Sequence, residues 1–256
     1  MKRLLLLSAL LIFACSSDDS SNTNDNNNNN ELLNCEGNPV PSIVYGTQEW
    51  TVENACHTTY RDGTPIPQVE YGTDWKFLTT GAWCYYDNNI NKAVLYNWYA
   101  VMGIHDTDPD TPNKEFTPDG WHVPSDAEWT TFQEYLIDNG YNYDGTTEEN
   151  KIAKAISSQS GWTSNSETDF GDPGYNQENT NNSSGFNAYP VGKRYVVGGV
   201  VPISFYGEGN QTSFWTTSTD DIGNLALSRT IYTNDDYLKF TENLKTMGLS
   251  VRLVKD

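Results

Sequence analysis

Cysteine, histidine and positive charge are all scarce in this sequence. The chain has 4 cysteines, 3 histidines and 15 lysines and arginines against 34 aspartates and glutamates. The resulting net charge of −19 repels phosphate backbones and anionic headgroups, so we expect no nucleic-acid partner and no direct lipid binding. His57, His105 and His122 lack a second histidine at metal-ligand spacing, and no GxSxG, P-loop or GxGxxG motif occurs. These absences exclude the hydrolases and nucleotide-binding proteins that such motifs identify from the functions considered for this sequence.

Long apolar runs are also absent, apart from one at the start. Met1-Lys2-Arg3 and the run from Leu4 to Ala14 form a positive segment and a short apolar segment directly before Cys15. The run is too short to span a bilayer, which takes about 20 residues. We interpret residues 1–14 as a lipoprotein signal peptide and expect Cys15 to be lipidated, so that the membrane is reached through the N-terminal lipid only.

Residues 15–34 are expected to form a disordered polar tether. They are mostly Ser, Asp, Asn and Thr, and a segment with so little to bury cannot offset the entropy of ordering. Ser17-Asp18-Asp19 is similar to the acidic export signals of Bacteroidetes-type lipoproteins. This similarity predicts an outer-membrane protein that faces the cell exterior, whereas the alternative is that these acids only belong to the linker.

Residues 35–256 contain no further low-complexity break and are expected to form a single domain. The chain is 13% aromatic and only 19% charged, which is typical of a loop-rich extracellular protein. If Cys15 is lipidated, three cysteines remain in an oxidising compartment, so one disulfide at most can form. Cys56 with Cys84 and Cys35 with Cys56 are both open pairings.

The clearest local signal is a helix start in GWHVPSDAEW (120–129). Ser125 and Glu128 have the spacing of a capping box, and Phe132, Tyr135 and Leu136 continue an apolar face, so we predict a helix over 125–138.

Thr146 and Glu149 suggest a second capping box, before Ile152, Ala155 and Ile156 at helical spacing. The loop over 161–184 is of the long kind that is usually functional or mobile.

Alternation and apolar runs predict several strands. One begins the domain at Val44 to Val52, with a local break at Gly46, and another ends it over residues 249–254. A buried strand is expected at Phe214 to Ser218, followed by shorter ones at 225–229 and 230–232. Arg61-Asp62-Gly63-Thr64-Pro65 has the composition of a turn.

Eight segments carry a resemblance to one known family. They are YGTQEWTVEN (45–54), YRDGTPIPQV (60–69), LTTGAWCYYDNN (78–89), LYNWYAV (95–101), GWHVPSDAEWTTF (120–132), NSSGFNAYPVGKRY (182–195), FWTTSTD (214–220) and LSVRLVKD (249–256). In this order they resemble the Fibrobacter succinogenes major paralogous domain of bacterial surface lipoproteins, and the resemblance covers about residues 35–256.

That family in turn resembles C-type-lectin-like folds of the formylglycine-generating-enzyme branch, whose helix start reads LPTEAEW. The resemblance implies an α+β, C-type-lectin-like fold with two helices, short antiparallel sheets, paired terminal strands and long loops. Cys84 falls on a family cysteine position, but Leu253 stands where the terminal-strand cysteine is usual. The branch's oxidase chemistry needs a late cysteine pair, and every cysteine here precedes residue 85, so we expect no such activity.

Asp106, Asp108 and Asp110 alternate in HDTDPDTPNKE, and with Asn113 and Glu115 they offer the oxygen ligands that calcium prefers. Calcium is therefore a hypothesis for this loop, against the alternative of a solvated acidic loop. The loop lacks the Gly and Glu positions of an EF-hand, and no EPN, QPD or WND triplet indicates a calcium-bridged sugar site. We expect no other cofactor.

A ligand-binding surface is predicted in the segment from Asn224 to Lys239. In similar lectin-like folds this region lies on the ligand-facing side, and aromatic and amide side chains suit sugars or peptides. The alternative is that these tyrosines only cover a sheet. The predicted surface residues are Arg229, Tyr232, Asn234, Asp235, Tyr237 and Lys239.

Together these features predict a non-catalytic cell-surface lipoprotein that binds an extracellular glycan or protein, in adhesion or capture. A second hypothesis is a structural subunit of a surface assembly, such as a fimbrial or polysaccharide-uptake complex, and an exposed apolar patch would favour it. An enzyme would need clustered acids of separated pKa in one cleft.

Overall fold

A computed structural model describes residues 32, 34–164, 166–195 and 204–256. The predicted signal peptide, Cys15 and all of the predicted tether except Leu32 and Asn34 lie outside the described residues. The described part is a mixed α and β structure, mostly sheet with few helices. None of its helices has the length and hydropathy needed to cross a lipid bilayer.

The strands within the described residues are mostly short. In chain order they are β1 (Ser42–Tyr45), β2 (Gln48–Thr51), β3 (Trp83–Tyr85), β4 (Val94–Tyr96), β5 (Trp121–His122), β6 (Val191–Tyr195), β7 (Ser204–Glu208), β8 (Gln211–Thr219), β9 (Leu225–Tyr232), β10 (Lys239–Leu244) and β11 (Val254–Lys255). The helices are α1 (Gly72–Trp75), α2 (Trp98–Val101), α3 (Asp126–Asp138), α4 (Ala153–Ile156) and α5 (Gln177–Thr180), with one 3₁₀ turn at Tyr86–Asn88.

Three sheets are built from these strands. The order is β1-β2-β11-β5 in the first, β10-β9-β8-β6-β7 in the second and β3-β4 in the third. In the first sheet Val254 of β11 lies between Trp50 of β2 and His122 of β5, so the two ends of the domain meet as predicted. The regular part of the last strand is shorter than the predicted 249–254, because Leu249 and Ser250 bridge to Tyr96 and Phe214 instead.

The predicted helix over 125–138 is confirmed as α3. Its Ser125 Oγ accepts the Glu128 amide at 3.3 Å, and Glu128 Oε2 accepts the Ser125 amide at 2.7 Å, which completes the capping box. Trp129, Phe132 and Leu136 are fully buried, since they recur on one helix face, and the Trp129 and Phe132 rings both pack against the Trp50 ring.

Strand β8 is buried on both faces. Phe214 packs in one apolar cluster with Trp129, while its neighbour Trp215 packs in another with Leu249, as alternation along a strand requires. The predicted buried strand at 214–218 is therefore confirmed, and the two short strands predicted after it form one continuous strand, β9.

The predicted strand from Val44 to Val52 is a hairpin rather than one strand. Gly46 has a φ of +62°, a left-handed conformation that favours glycine, and it turns the chain between β1 and β2. The turn predicted at residues 61–65 is confirmed, with Gly63 at a φ of +84°.

The second predicted helix is wrong in its start and its length. The Thr146 amide donates to Asp144 Oδ1 at 3.0 Å in a turn, and Glu149 has a φ of 63°, so no capping box forms. Helix α4 begins only after Ile152 and lasts a single turn. Ile152 and Ile156 are nevertheless fully buried, as their spacing predicts.

Of the two open disulfide pairings, the structure contains Cys35–Cys56, with 5.6 Å between the Cα atoms. Cys84 is buried as a free thiol, and burial raises its pKa to about 11. The disulfide therefore ties the start of the domain to the loop that follows β2.

A buried arginine joins several distant segments. Arg252 is 2% exposed and donates to Asn54 Oδ1 at 2.7 Å, the Thr51 carbonyl at 2.7 Å and the Asn187 carbonyl at 3.2 Å. Its guanidinium lies 4.5 Å from the centroid of the Phe186 ring. The side chain thus fixes the terminal segment to the first hairpin and to the loop before β6.

Candidate functional site

A cleft of about 270 Å³ lies between the loop after α3, helix α4 and the loop around α5. We call it the aromatic cleft. Its lining includes Asn142, Tyr143, Lys154, Phe170, Thr180 and Ser183. Aromatic rings and hydroxyls thus meet on one concave surface, as in many ligand sites. The Asn142 amide and the Lys154 ammonium border it but are hydrogen-bonded to backbone groups.

Two exposed aromatic side chains flank the cleft. Phe170 is 73% exposed and Tyr143 is 44% exposed. The Phe170 ring is held by the Tyr175 ring, with centroids 4.8 Å apart. Between them, Gly171 comes so close that an added Cβ would lie 2.4 Å from Tyr143 Cε1, so only glycine fits there. The two rings are therefore positioned by packing although much of each side chain is exposed to solvent.

Lys154 forms the floor of the cleft and is only 4% exposed. Its Nζ donates to the Asp172 carbonyl at 2.8 Å and to the Tyr175 carbonyl, and it lies 5.5 Å from the centroid of the Tyr175 ring. Burial lowers its pKa to about 8. Because the ammonium group is bonded to two carbonyls of the same loop, it holds residues 172–175 in place beside Phe170.

Carboxylates surround this floor. Burial raises the pKa of Asp172, and the nearby Asp169, Asp236 and Asp235 raise it further. Burial also raises the pKa of Asp236, with Asp235 adding to the shift. Both shifts run in the same direction, so these acids do not form the pair of separated pKa values that acid–base catalysis needs. Their charge disfavours anionic ligands.

The predicted surface residues at 232–239 form a compact turn next to the cleft. Asp235 pairs with Lys239 and accepts the Tyr237 amide at 3.1 Å, and the Lys239 Nζ lies 5.7 Å from the Tyr232 ring centroid. Asn234 and Tyr237 are exposed. Asp236 brings this turn next to the cleft. A Cβ added to Gly171, the residue after Phe170, would lie 2.8 Å from Asp236 Cβ.

Arg229 does not belong to that surface, which corrects the prediction. Its side chain is 7% exposed and lies under α3, where it pairs with Asp126 at 2.8 Å and donates to Thr130 Oγ1 at 2.9 Å. The guanidinium packs β9 against the first turn of the helix and presents little surface to a ligand.

The predicted calcium loop lies elsewhere. Asp106 and Asp108 line a cleft of about 310 Å³, while the carboxylates of both residues accept amides two positions later, at 2.9 and 3.0 Å. Such bonds are typical of turns. Within the described part of the chain, no three or more Asp, Glu, His or Cys side chains are grouped so that they could hold a metal ion, and Asp110 joins no such group. Calcium binding stays a prediction.

The sequence indicates the long loop over 161–184 but not the residues in it that make the cleft. Phe170 is the only aromatic residue in TDFGDPG, and its nearest aromatic neighbour along the chain is Tyr175. That isolation is the one signal that could have found it. Lys154 carries no comparable signal, since its surroundings KIAKAI read as an ordinary amphipathic turn.

Comparison with known proteins gives one result. The family model of the Fibrobacter succinogenes major domain (Fib_succ_major) matches residues 43–255, from β1 to the end of β11, and so includes the aromatic cleft. No curated protein and no solved structure matches the chain. Because the match extends over most of the sequence, the chain belongs to the Fibrobacter succinogenes major domain family.

Proposed function

We propose that this protein is a non-catalytic, lipid-anchored cell-surface protein that binds an extracellular glycan in the aromatic cleft, in adhesion or capture. The observation that carries the proposal is the pair of solvent-exposed aromatic side chains, Phe170 and Tyr143, at the mouth of a polar cleft. A sugar ring has an apolar face that stacks on an aromatic ring and hydroxyls that need paired donors and acceptors. The exposed Ser183 hydroxyl supplies a donor and an acceptor, and the exposed Thr180 Oγ1, which donates to the Asn176 carbonyl at 2.9 Å, can still accept.

The volume of the cleft and the charge around it limit the kinds of ligand that fit. A volume of about 270 Å³ is at the small end of ligand sites, which favours one or two sugar units of a longer chain over a large molecule. The nearby Asp169, Asp172, Asp235 and Asp236 disfavour carboxylated or sulfated sugars, although Lys154 beneath them is a cation. The proposed ligand is a neutral glycan.

The proposal also includes the finer fold and the location. The pairing of β2 with β11 joins both ends of the domain in one sheet, which is what a C-type-lectin-like fold requires. Lipidation at Cys15 and display on the outer membrane follow from the signal peptide and tether interpreted in the sequence. A protein partner in the same cleft is the alternative ligand.

The test is glycan-array binding of the chain from residue 15 onward, with Cys15→Ser to keep it soluble. The array is run once with calcium and once with a chelator. Binding to neutral sugars that survives chelation supports the aromatic cleft as the binding site. Calcium-dependent binding would instead indicate a site at the loop with Asp106 and Asp108. An array without any binding would contradict the glycan proposal and favour a protein ligand.

Site variants then locate the binding. Phe170→Ala and Tyr143→Ala are each expected to weaken the best glycan about tenfold, because each removes a stacking face. Phe77→Ala is the matched control, since Phe77 is 76% exposed and does not line the cleft. Equal losses in all three variants would show that the cleft is not the binding site.

A further inference from the structure

Strand β10 forms one edge of the five-stranded sheet. It pairs with β9 from Lys239 opposite Thr230 to Leu244 opposite Leu225, and no other described strand pairs with it. An edge strand presents unpaired backbone donors and acceptors, so it can accept a further strand from another chain.

The side chains on one face of this edge are unusually apolar for a solvent-exposed position. Phe240 is 48% exposed and Leu244 is 44% exposed, with Glu242 between them on the same face. The Phe240 ring lies over the Arg229 guanidinium at 5.7 Å, so it is held against the sheet. Along the free edge, this face therefore presents an apolar, an acidic and a second apolar side chain, at Phe240, Glu242 and Leu244.

Beside this face is a cleft of about 340 Å³ that is distinct from the aromatic cleft. Asp220, Asp221 and Glu242 supply its charge, and Ile222, Leu227 and Phe240 supply apolar walls. Ile222 is itself 76% exposed. Carboxylates at the end of apolar walls complement a lysine or arginine side chain, whose methylene stem is apolar and whose head is charged.

A second copy of the same chain fits this edge poorly. Antiparallel pairing of β10 with itself about Glu242 would place two glutamates directly opposite each other, and like charges in that position destabilise a sheet. A strand with a basic residue opposite Glu242 and apolar residues opposite Phe240 and Leu244 has the reverse charge and matches the face.

We propose that β10 is a docking edge for an extended basic segment of another protein, which adds to the sheet as a sixth strand. Its basic side chain enters the cleft with Asp220, Asp221 and Glu242, and its flanking apolar residues cover Phe240 and Leu244. Backbone hydrogen bonds supply affinity and the three side-chain positions supply selectivity. This surface is independent of the aromatic cleft.

The probe is the peptide Thr-Val-Thr-Lys-Thr-Val-Thr, which places Val, Lys and Val on one face in either strand direction. It is titrated at low salt into the chain from residue 15 onward with Cys15→Ser, and amide chemical shifts are followed. We expect shifts confined to β10 and residues 219–222. We also expect about tenfold weaker binding of the matched peptide with Glu in place of Lys.

Two protein variants separate this edge from general attraction to an acidic protein. Glu242→Lys should weaken the lysine peptide about tenfold and strengthen the glutamate peptide, while Glu134→Lys on the exposed side of α3 makes the same change in net charge and should have little effect. A peptide N-methylated on the amides that face β10 should not bind.

The proposal is overturned if Glu134→Lys weakens binding as much as Glu242→Lys, or if the N-methylated peptide binds equally well. Absence of binding at millimolar peptide overturns it as well. A dimer in sedimentation that Glu242→Lys dissociates would assign the edge to a second copy instead. None of these outcomes depends on glycan binding, so the two proposals fail separately.

Discussion

Four cations are buried among the described residues of this acidic protein, and each holds a segment rather than a ligand. Arg194 donates to the Val69 and Glu70 carbonyls. Arg252 bonds three different segments, Lys154 bonds the loop beside Phe170, and Arg229 bonds α3. A buried charge is costly unless its donors are satisfied, so the geometry around each is demanding. Local sequence does not reveal this role, which is why Arg229 was predicted as a surface residue.

Arg252→Lys is expected to lower the free energy of unfolding by about 3 kcal/mol. Lysine cannot reproduce the planar fork that reaches Asn54, Thr51 and Asn187 together, and the buried carbonyls left without donors cost energy. Urea denaturation followed by tryptophan fluorescence measures the change.

Arg61→Lys is the control for that substitution. Arg61 bonds the Thr117 carbonyl at 2.8 Å and pairs with Asp119 at 3.2 Å, but its side chain is 34% exposed, so we expect a loss below about 1 kcal/mol. Similar losses at both arginines would contradict the role assigned to Arg252.

At the scale of elements, α3 depends most clearly on its own first turn. Ser125→Ala removes the oxygen that accepts the Glu128 amide and is expected to cost about 1 kcal/mol of stability. Thermal denaturation is a sufficient measurement. Thr131→Ala, on the exposed side of the same helix, should leave stability unchanged or raise it slightly because alanine favours helix. A loss at Thr131 as large as at Ser125 would argue against a capping effect.

The elements that sequence could predict are those with a complete local signal. The helix at 125–138 has a cap, a stop and a continuous apolar face, and the strand at 214–218 is a buried run. The helix start predicted at Thr146 was wrong because Asp144 accepts the Thr146 amide proton, which Glu149 would accept in a capping box. Helix propensity does not take this competing hydrogen bond into account. The aromatic cleft could not be predicted, since its walls come from two loops and helix α4, which only tertiary packing brings together.

At the scale of the whole molecule, His122 connects the last segment to α3. Its Nε2 lies 2.6 Å from Glu128 Oε1 and its Nδ1 lies 2.8 Å from Asp256 Oδ1. Burial lowers the pKa of His122, but the bonds to Glu128 and Asp256 outweigh it and raise the pKa above 6.5. Burial raises the pKa of Glu128, but its bonds to Ser125 and His122 lower it below 4.5.

These shifts predict a pH-dependent contribution to stability. The raised His122 pKa stabilises the fold below about pH 6.5, and this contribution is lost as the pH rises through the folded value. The lowered Glu128 pKa stabilises above about pH 4.5 and is lost as the pH falls.

His122→Gln should therefore lower the Tm most between about pH 4.5 and 6.5 and progressively less at higher pH. Thermal scans of both proteins from pH 4 to 9 measure the difference. A difference that stays constant across that range would contradict the assignment.

The first sheet also determines when the domain can form. Lys255 pairs with Glu49 at 3.0 Å across a separation of 206 residues, and β2 lies between β1 and β11. Glu49 is synthesised 206 residues before Lys255, so the place that β11 fills beside Trp50 stays open until β11 itself has been made. Long-range pairings of this kind form slowly. The first sheet therefore cannot be completed before β11 has been made, and its closure is expected to be a late step in the folding of the domain.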